Sequence, residues 1–142
     1  MKKTKLQVEY DFDFIFVGLV SSSKEYTLAW HLNKTLQVNL IKQEDVVISM
    51  SNQNHLRISN LLFETENSAL RLLGNRSIGG NQDAKSLLLP ELPNFTHFIT
   101  MKDESETVND QQLLNKIRQI IVVDYAALID ALKLKNKDNL IF

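Results

Sequence analysis

The stretch Leu6-Gln7-Val8-Glu9-Tyr10-Asp11-Phe12-Asp13-Phe14-Ile15-Phe16-Val17-Gly18-Leu19-Val20 decides the fold class. Leu6, Val8, Tyr10, Phe12, Phe14 and Phe16 alternate with Gln7, Glu9, Asp11 and Asp13. A period of two places apolar side chains on one face of a strand and polar ones on the other. After Asp13 the polar row becomes Ile15, Val17 and Leu19, so the second half of the strand needs cover on both faces. Phe12, Ile15, Phe16 and Leu19 also fit a helical i, i+3, i+4, i+7 spacing. The longer alternation and the aromatic content favour strand.

Working outward, Ser22-Ser23-Lys24-Glu25 reads as a capping box, with Ser22 as cap and Glu25 reaching back. A helix follows to about Leu36, with Leu28, Ala29, Leu32 and Leu36 on its core stripe. Tyr26 and Trp30 form an i, i+4 pair on an adjacent face, so the spacing predicts a helix buried over a wide arc. Residues 46–76 read as a meander of Val46–Met50, Arg57–Glu64 and Ala69–Leu73, with turns at Glu66-Asn67-Ser68 and Gly74-Asn75. Residues 77–86 lack periodicity and read as a loop. Pro90 and Pro93 stiffen a connector before a strand over Phe95–Met101. Asn109, with Gln112 three residues on, caps a helix starting near Asp110, whose stripe is Leu113, Leu114, Ile117 and Ile121. The β-branched run Ile120–Val123 suits a buried strand. Asp124 then caps a last helix on Tyr125, Leu128, Ile129 and Leu132. One long helix over 110–134 is the competing reading. The expected fold is α+β, an antiparallel sheet of five or six strands with two or three helices packed on one face. The other face would then need polar residues or a partner.

The chain has 142 residues, 44% of them hydrophobic and 23% charged, which suits one globular domain over residues 1–142. With 16 basic against 17 acidic residues the net charge is −1. The scattered basic residues argue against nucleic acid as a partner. The chain has no cysteine. That removes disulfides, thiolate catalysis and cysteine-ligated metal. Lys2, Lys3 and Lys5 mimic a signal sequence, but Glu9, Asp11 and Asp13 interrupt its apolar core, so a cytoplasmic protein is expected. No stretch has the ~18–20 apolar residues needed to span a membrane.

Ile117-Arg118-Gln119-Ile120-Ile121-Val122-Val123-Asp124-Tyr125 resembles the signature of the bacterial IPExxxVDY family. Ile117, Val123, Asp124 and Tyr125 match in place, while Arg118 and Gln119 stand where the family has Pro and Glu. Tyr26-Thr27-Leu28-Ala29-Trp30, with Asn33-Lys34, and Leu89-Pro90-Glu91-Leu92 are similar in style. The resemblance carries over no catalytic residue. It implies a helix ending near Ile117, because a proline aligned with Arg118 would stop one there.

Asp11 and Asp13 share a strand face, as a metal pair would, but Gln7 and Glu9 continue the same solvated row. The chain's three histidines, His31, His55 and His97, lie too far apart in sequence to form a local ligand pair. His97 sits between Phe95 and Phe98. Ser21, Ser22 and Ser23 lack a nucleophile-elbow frame. Gly74 to Gly79 has the spacing of a phosphate loop but Gly80-Asn81 where the lysine should be. Tyr26 and Trp30 could line a pocket, although core packing is the commoner use of such a pair. No catalytic, cofactor-binding or metal residue is assigned on these grounds. The expected function is a small cytoplasmic binding or interaction module, with a second copy or another protein as partner. The alternative is an enzyme with a dispersed site, His31 or His97 with a carboxylate such as Asp124. A histidine and a carboxylate in hydrogen-bond reach within one pocket would favour the enzyme.

Overall fold

The computed structural model describes residues 13–49, 55–78 and 86–140. Its strands are β1 (Ile15–Val20), β2 (Ile41–Lys42), β3 (Val46–Ser49), β4 (His55–Ile58), β5 (Asn60–Glu64), β6 (Ser68–Gly74), β7 (His97–Asp103) and β8 (Tyr125–Leu128). The helices are α1 (Glu25–Leu36) and α2 (Asp110–Arg118), followed by 3-10 turns at Ala131–Lys133 and Lys137–Leu140. Six strands form one sheet in the order β2-β5-β6-β7-β1-β8, and β3 and β4 form a separate hairpin. Every pairing is antiparallel. The fold is α+β.

The described part of the opening stretch is a strand, and it is covered on both faces. Val17 and Leu19 face a core with Leu28, Ala29 and Leu32 of α1 and Leu113, Leu114 and Ile117 of α2. Phe16 faces the opposite core with Leu56, Ile58, Leu73, Leu88 and Phe98. Its ring stacks on Phe98 at 5.1 Å between centroids. Gly18 points the same way, and a Cβ there would lie 2.6 Å from the Phe95 ring. Absence of a side chain lets that ring lie against the strand backbone. The rest of the stretch, with its Asp11, Glu9 and Gln7 row, lies outside the described residues.

Both helices pack on one face, as expected. The other face needs neither polar residues nor a partner, because the β3–β4 hairpin, the Leu88–Phe95 connector and the C-terminal 3-10 turns cover it. Gly74-Asn75 is no surface turn. Asn75 is fully buried and fastens that connector. Its amide donates to Leu92 O at 3.0 Å and Phe95 O at 2.9 Å, and its Oδ1 accepts from Leu89 N at 3.0 Å.

Four further expectations change. Arg57–Glu64 is two strands rather than one, broken at Ser59, whose carbonyl accepts from Gly74 N at 3.1 Å and whose hydroxyl donates to Glu25. Ser22 does not cap α1. The cap position is Lys24, with no side-chain cap bond, and Glu25 turns away to other partners. Tyr26 and Trp30 are 70% and 56% exposed, so α1 buries a narrower stripe than its composition suggests. Finally, 110–134 is neither one helix nor helix-strand-helix. Asn109 caps α2 through a 3.0 Å bond from Gln112 N, and the helix ends at Arg118, close to where the resemblance implies. Ile120–Val123 is a tight turn held by Val123 N to Ile120 O at 3.0 Å and Ser21 Oγ to Val122 O at 2.7 Å. Tyr125–Leu128 then pairs with the open edge of β1. That ladder outweighs the helical stripe, since backbone groups need partners wherever a strand edge offers them.

Candidate functional site

A cleft of about 310 Å³ opens at one end of the sheet. Antiparallel pairing collects there the start of β7, the end of β6 and the β4–β5 break, and α1 begins beside them. His97 is the first residue of β7, in register with Gly74 on one side and Leu19 on the other. Glu25 is the first residue of α1 and Ser59 is the break residue. These three line the cleft with Arg76, Asn94 and Thr96, among others.

Glu25 is the centre of the polar network. Its Oε2 lies 3.3 Å from His97 Nε2. Its Oε1 accepts from the Ser59 hydroxyl. Lys42 Nζ donates to Ser59 Oγ at 2.6 Å and stands 3.9 Å from Glu25 Oε1. Burial alone would raise the Glu25 pKa. The hydrogen bonds from His97 and Ser59, with the charges of His97 and Lys42, outweigh burial and hold the carboxyl below its ordinary value. A carboxylate in the first turn of a helix is also favoured by the helix dipole.

His97 is tied at both ring nitrogens. Nδ1 lies 3.0 Å from Thr96 Oγ1, and that hydroxyl in turn accepts from Ser21 N at 3.0 Å. The Thr96 hydroxyl donates to Leu19 O at 3.2 Å, and the same carbonyl takes the Thr96 N–H at 2.8 Å, so the hydroxyl accepts from His97 Nδ1–H while Nε2 faces Glu25. The carboxylate therefore stands between serine and histidine, the reverse of the order in which an imidazole deprotonates a serine. Ser59 is 6% exposed, too buried to present a nucleophile. The network fixes α1 to the sheet and gives the cleft a rigid polar wall. Arg76 is exposed, lines the cleft, and has no side-chain partner among the described residues.

The cleft brings His97 together with a carboxylate, but that carboxylate is Glu25 and not Asp124. Asp124 is exposed and gives its backbone N–H to Val20 O at 2.8 Å. His31 lies on α1 with its ring edge against Trp30 at 4.9 Å, and His55 starts β4 on the exposed side. Glu25 and Ser59 were missed as partners of His97. The one available signal was the polar pair Ser59-Asn60 interrupting Leu56, Ile58, Leu61 and Leu62.

A larger hollow of about 570 Å³ is lined by Asp13, Asp103, Glu106, Asp110 and Asp130. One of these carboxylates, Asp103, already has its partners. Asp103 accepts from the hydroxyls of Ser105 and Thr107 and from the amides of Ser105, Thr107 and Val108. The Ser105 hydroxyl first, and then the amides, hold its carboxyl down at about 2. Those bonds close the turn after β7. Among the described residues no group of three or more histidines, aspartates or glutamates forms a metal cage, and no helix is long and apolar enough to cross a membrane. No family model, no curated protein and no solved structure matches the chain.

Proposed function

We propose that the protein is a binding module whose cleft beside His97 takes a small polar ligand with an anionic group. The observation that carries this is Arg76, an exposed guanidinium lining the cleft with no partner of its own among the described residues. A guanidinium presents paired donors that match a carboxylate or phosphate. Asn94 on the same wall supplies a neutral donor and acceptor. The Glu25 charge is offset by Lys42. The module reading extends to a protein partner, a second copy or a different protein, and the expected place is the cytoplasm of a bacterium, in keeping with the IPExxxVDY resemblance. The enzyme reading is favoured by one observation, the His97–Glu25 pair at 3.3 Å inside a cleft. It is opposed by the engagement of both His97 nitrogens, which leaves the imidazole no free position at which to move a substrate proton.

The test is titration of the isotope-labelled protein with inorganic phosphate, succinate and citrate, read by amide and side-chain NMR shifts. Saturable shifts at Arg76, Asn94 and His97 in wild type, lost in Arg76→Gln, support the reading. Shifts that survive Arg76→Gln, or that appear nowhere in the cleft, overturn it. Turnover of a phosphate or carboxylate ester by wild type but not by His97→Gln supports the enzyme instead.

A further inference from the structure

The outer face of α1 is built unlike the rest of that helix. Leu28, Ala29 and Leu32 are buried, and Glu25, the helix's one acid, is turned inward onto Ser59 and His97. Tyr26, Trp30 and Lys34 recur at i, i+4 and i+8, which aligns them along one exposed stripe. Tyr26 is 70% exposed and Trp30, the chain's single tryptophan, 56%. A basic group stands at each end. Lys24 Nζ lies 5.9 Å from the Tyr26 ring centre and Lys34 Nζ 5.1 Å from that of Trp30. The His31 ring meets Trp30 edge-on at 4.9 Å, so the indole is braced on both sides. Tyrosine and tryptophan offer large, stiff contact area, and they are the residues on which interfaces concentrate their binding energy.

We infer that this stripe docks a partner segment with an apolar centre and acidic flanks. Charge selects that occupant. An antiparallel pairing of two α1 stripes about a two-fold axis would set Lys24 of each copy against Lys34 of the other, and like charges in register disfavour the contact. Glutamates or aspartates at the two ends of a partner would meet both lysines while its apolar centre covers the rings. The surface is one helix stripe, smaller than the ~800 Å² per partner of a stable interface, so the contact is a transient one. The inference sharpens the protein-partner side of the proposed function. It is independent of the cleft, because its readout is Trp30 and not Arg76 or His97.

The probe is a blocked helical peptide with glutamates at both ends and leucines between, titrated into the whole protein and followed by Trp30 fluorescence. The control is the same peptide with lysines in place of the glutamates. The expected result is a saturable change with the acidic peptide and about tenfold weaker binding of the basic one, equivalent to about 1.4 kcal/mol. A Lys24→Glu/Lys34→Glu variant, whose changes lie on the surface, should reverse the preference while keeping the wild-type unfolding midpoint. Equal response to both peptides, no saturable response, or an unchanged preference in that variant overturns the inference. So does sedimentation of the wild type as a dimer that Trp30→Ala dissolves, which would give the stripe to a second copy.

Discussion

The two faces of the sheet are covered by different means. On one side α1 and α2 lay apolar stripes on Val17, Leu19, Leu72 and Ile99. On the other, irregular chain is clipped down by side-chain amides and one carboxylate. Asn75 holds the Leu89–Phe95 connector, Asn139 Nδ2 donates to Leu88 O at 2.8 Å, and Glu91 receives Asn136 N at 2.7 Å and Asn136 Nδ2 at 2.8 Å. Helices satisfy their own backbone and need only apolar contact to dock. Non-helical chain over a core carries unpaired amides and carbonyls, so its docking depends on specific polar partners. A loss of volume should therefore harm the first face, and a loss of hydrogen bonds the second.

The sharpest test removes volume from the helix face. Leu32 is fully buried, and Leu32→Ala should cost about 2–5 kcal/mol by denaturant unfolding, with all probes moving together. Asn75→Ala should come next, on the order of 3 kcal/mol, because the Leu89 amide and the Phe95 carbonyl lose their partner and the Leu92 carbonyl keeps only the 3.4 Å bond from Phe95 N. Its signature differs. Hydrogen exchange at Leu88, Leu89 and Leu92 should quicken far more than exchange in α1. Uniform acceleration across both faces would erase the distinction. The smallest effect concerns the network that joins α1 to the sheet. Glu25→Gln should cost about 1–2 kcal/mol at neutral pH. The Glu25 pKa is lowered on folding, so its contribution is present above the ordinary value of 4.5 and is lost as pH falls through the folded value. The gap between wild type and Glu25→Gln should thus close on acidification. A gap that widens toward acid would mean that the carboxyl is not held as a carboxylate.

The same division explains what could be read in advance. The alternation through Phe16 and Leu19, the Leu28–Leu32 stripe and the Asn109 cap are local patterns, and each produced the element it announces. Tyr125–Leu128 carries a helical stripe yet is a strand, because the free edge of β1 lies far off in sequence. Asn75 looks like a turn residue, and only the folded connector shows it to be a buried clip. Glu25 resembles half of a capping box, and its true partners, Ser59 and His97, lie 34 residues away and across the sheet. Local chemistry marks helices and strands. It does not mark a site assembled from a helix start, a strand start and a strand break.

The position of β1 has a consequence for how the protein is made. Its neighbours in the sheet are β7 and β8. Ser21, just past its end, is bonded to Thr96 75 residues later and to Val122 101 residues later. At a synthesis rate of roughly 5–20 residues per second, β1 waits about 5–20 s on the ribosome before both partners have been made. Through that interval Phe16, Val17 and Leu19 have no sheet to join. A nascent chain with those residues uncovered is expected to bind holding factors, and rare codons before Tyr125 should lower the soluble yield more than rare codons after it.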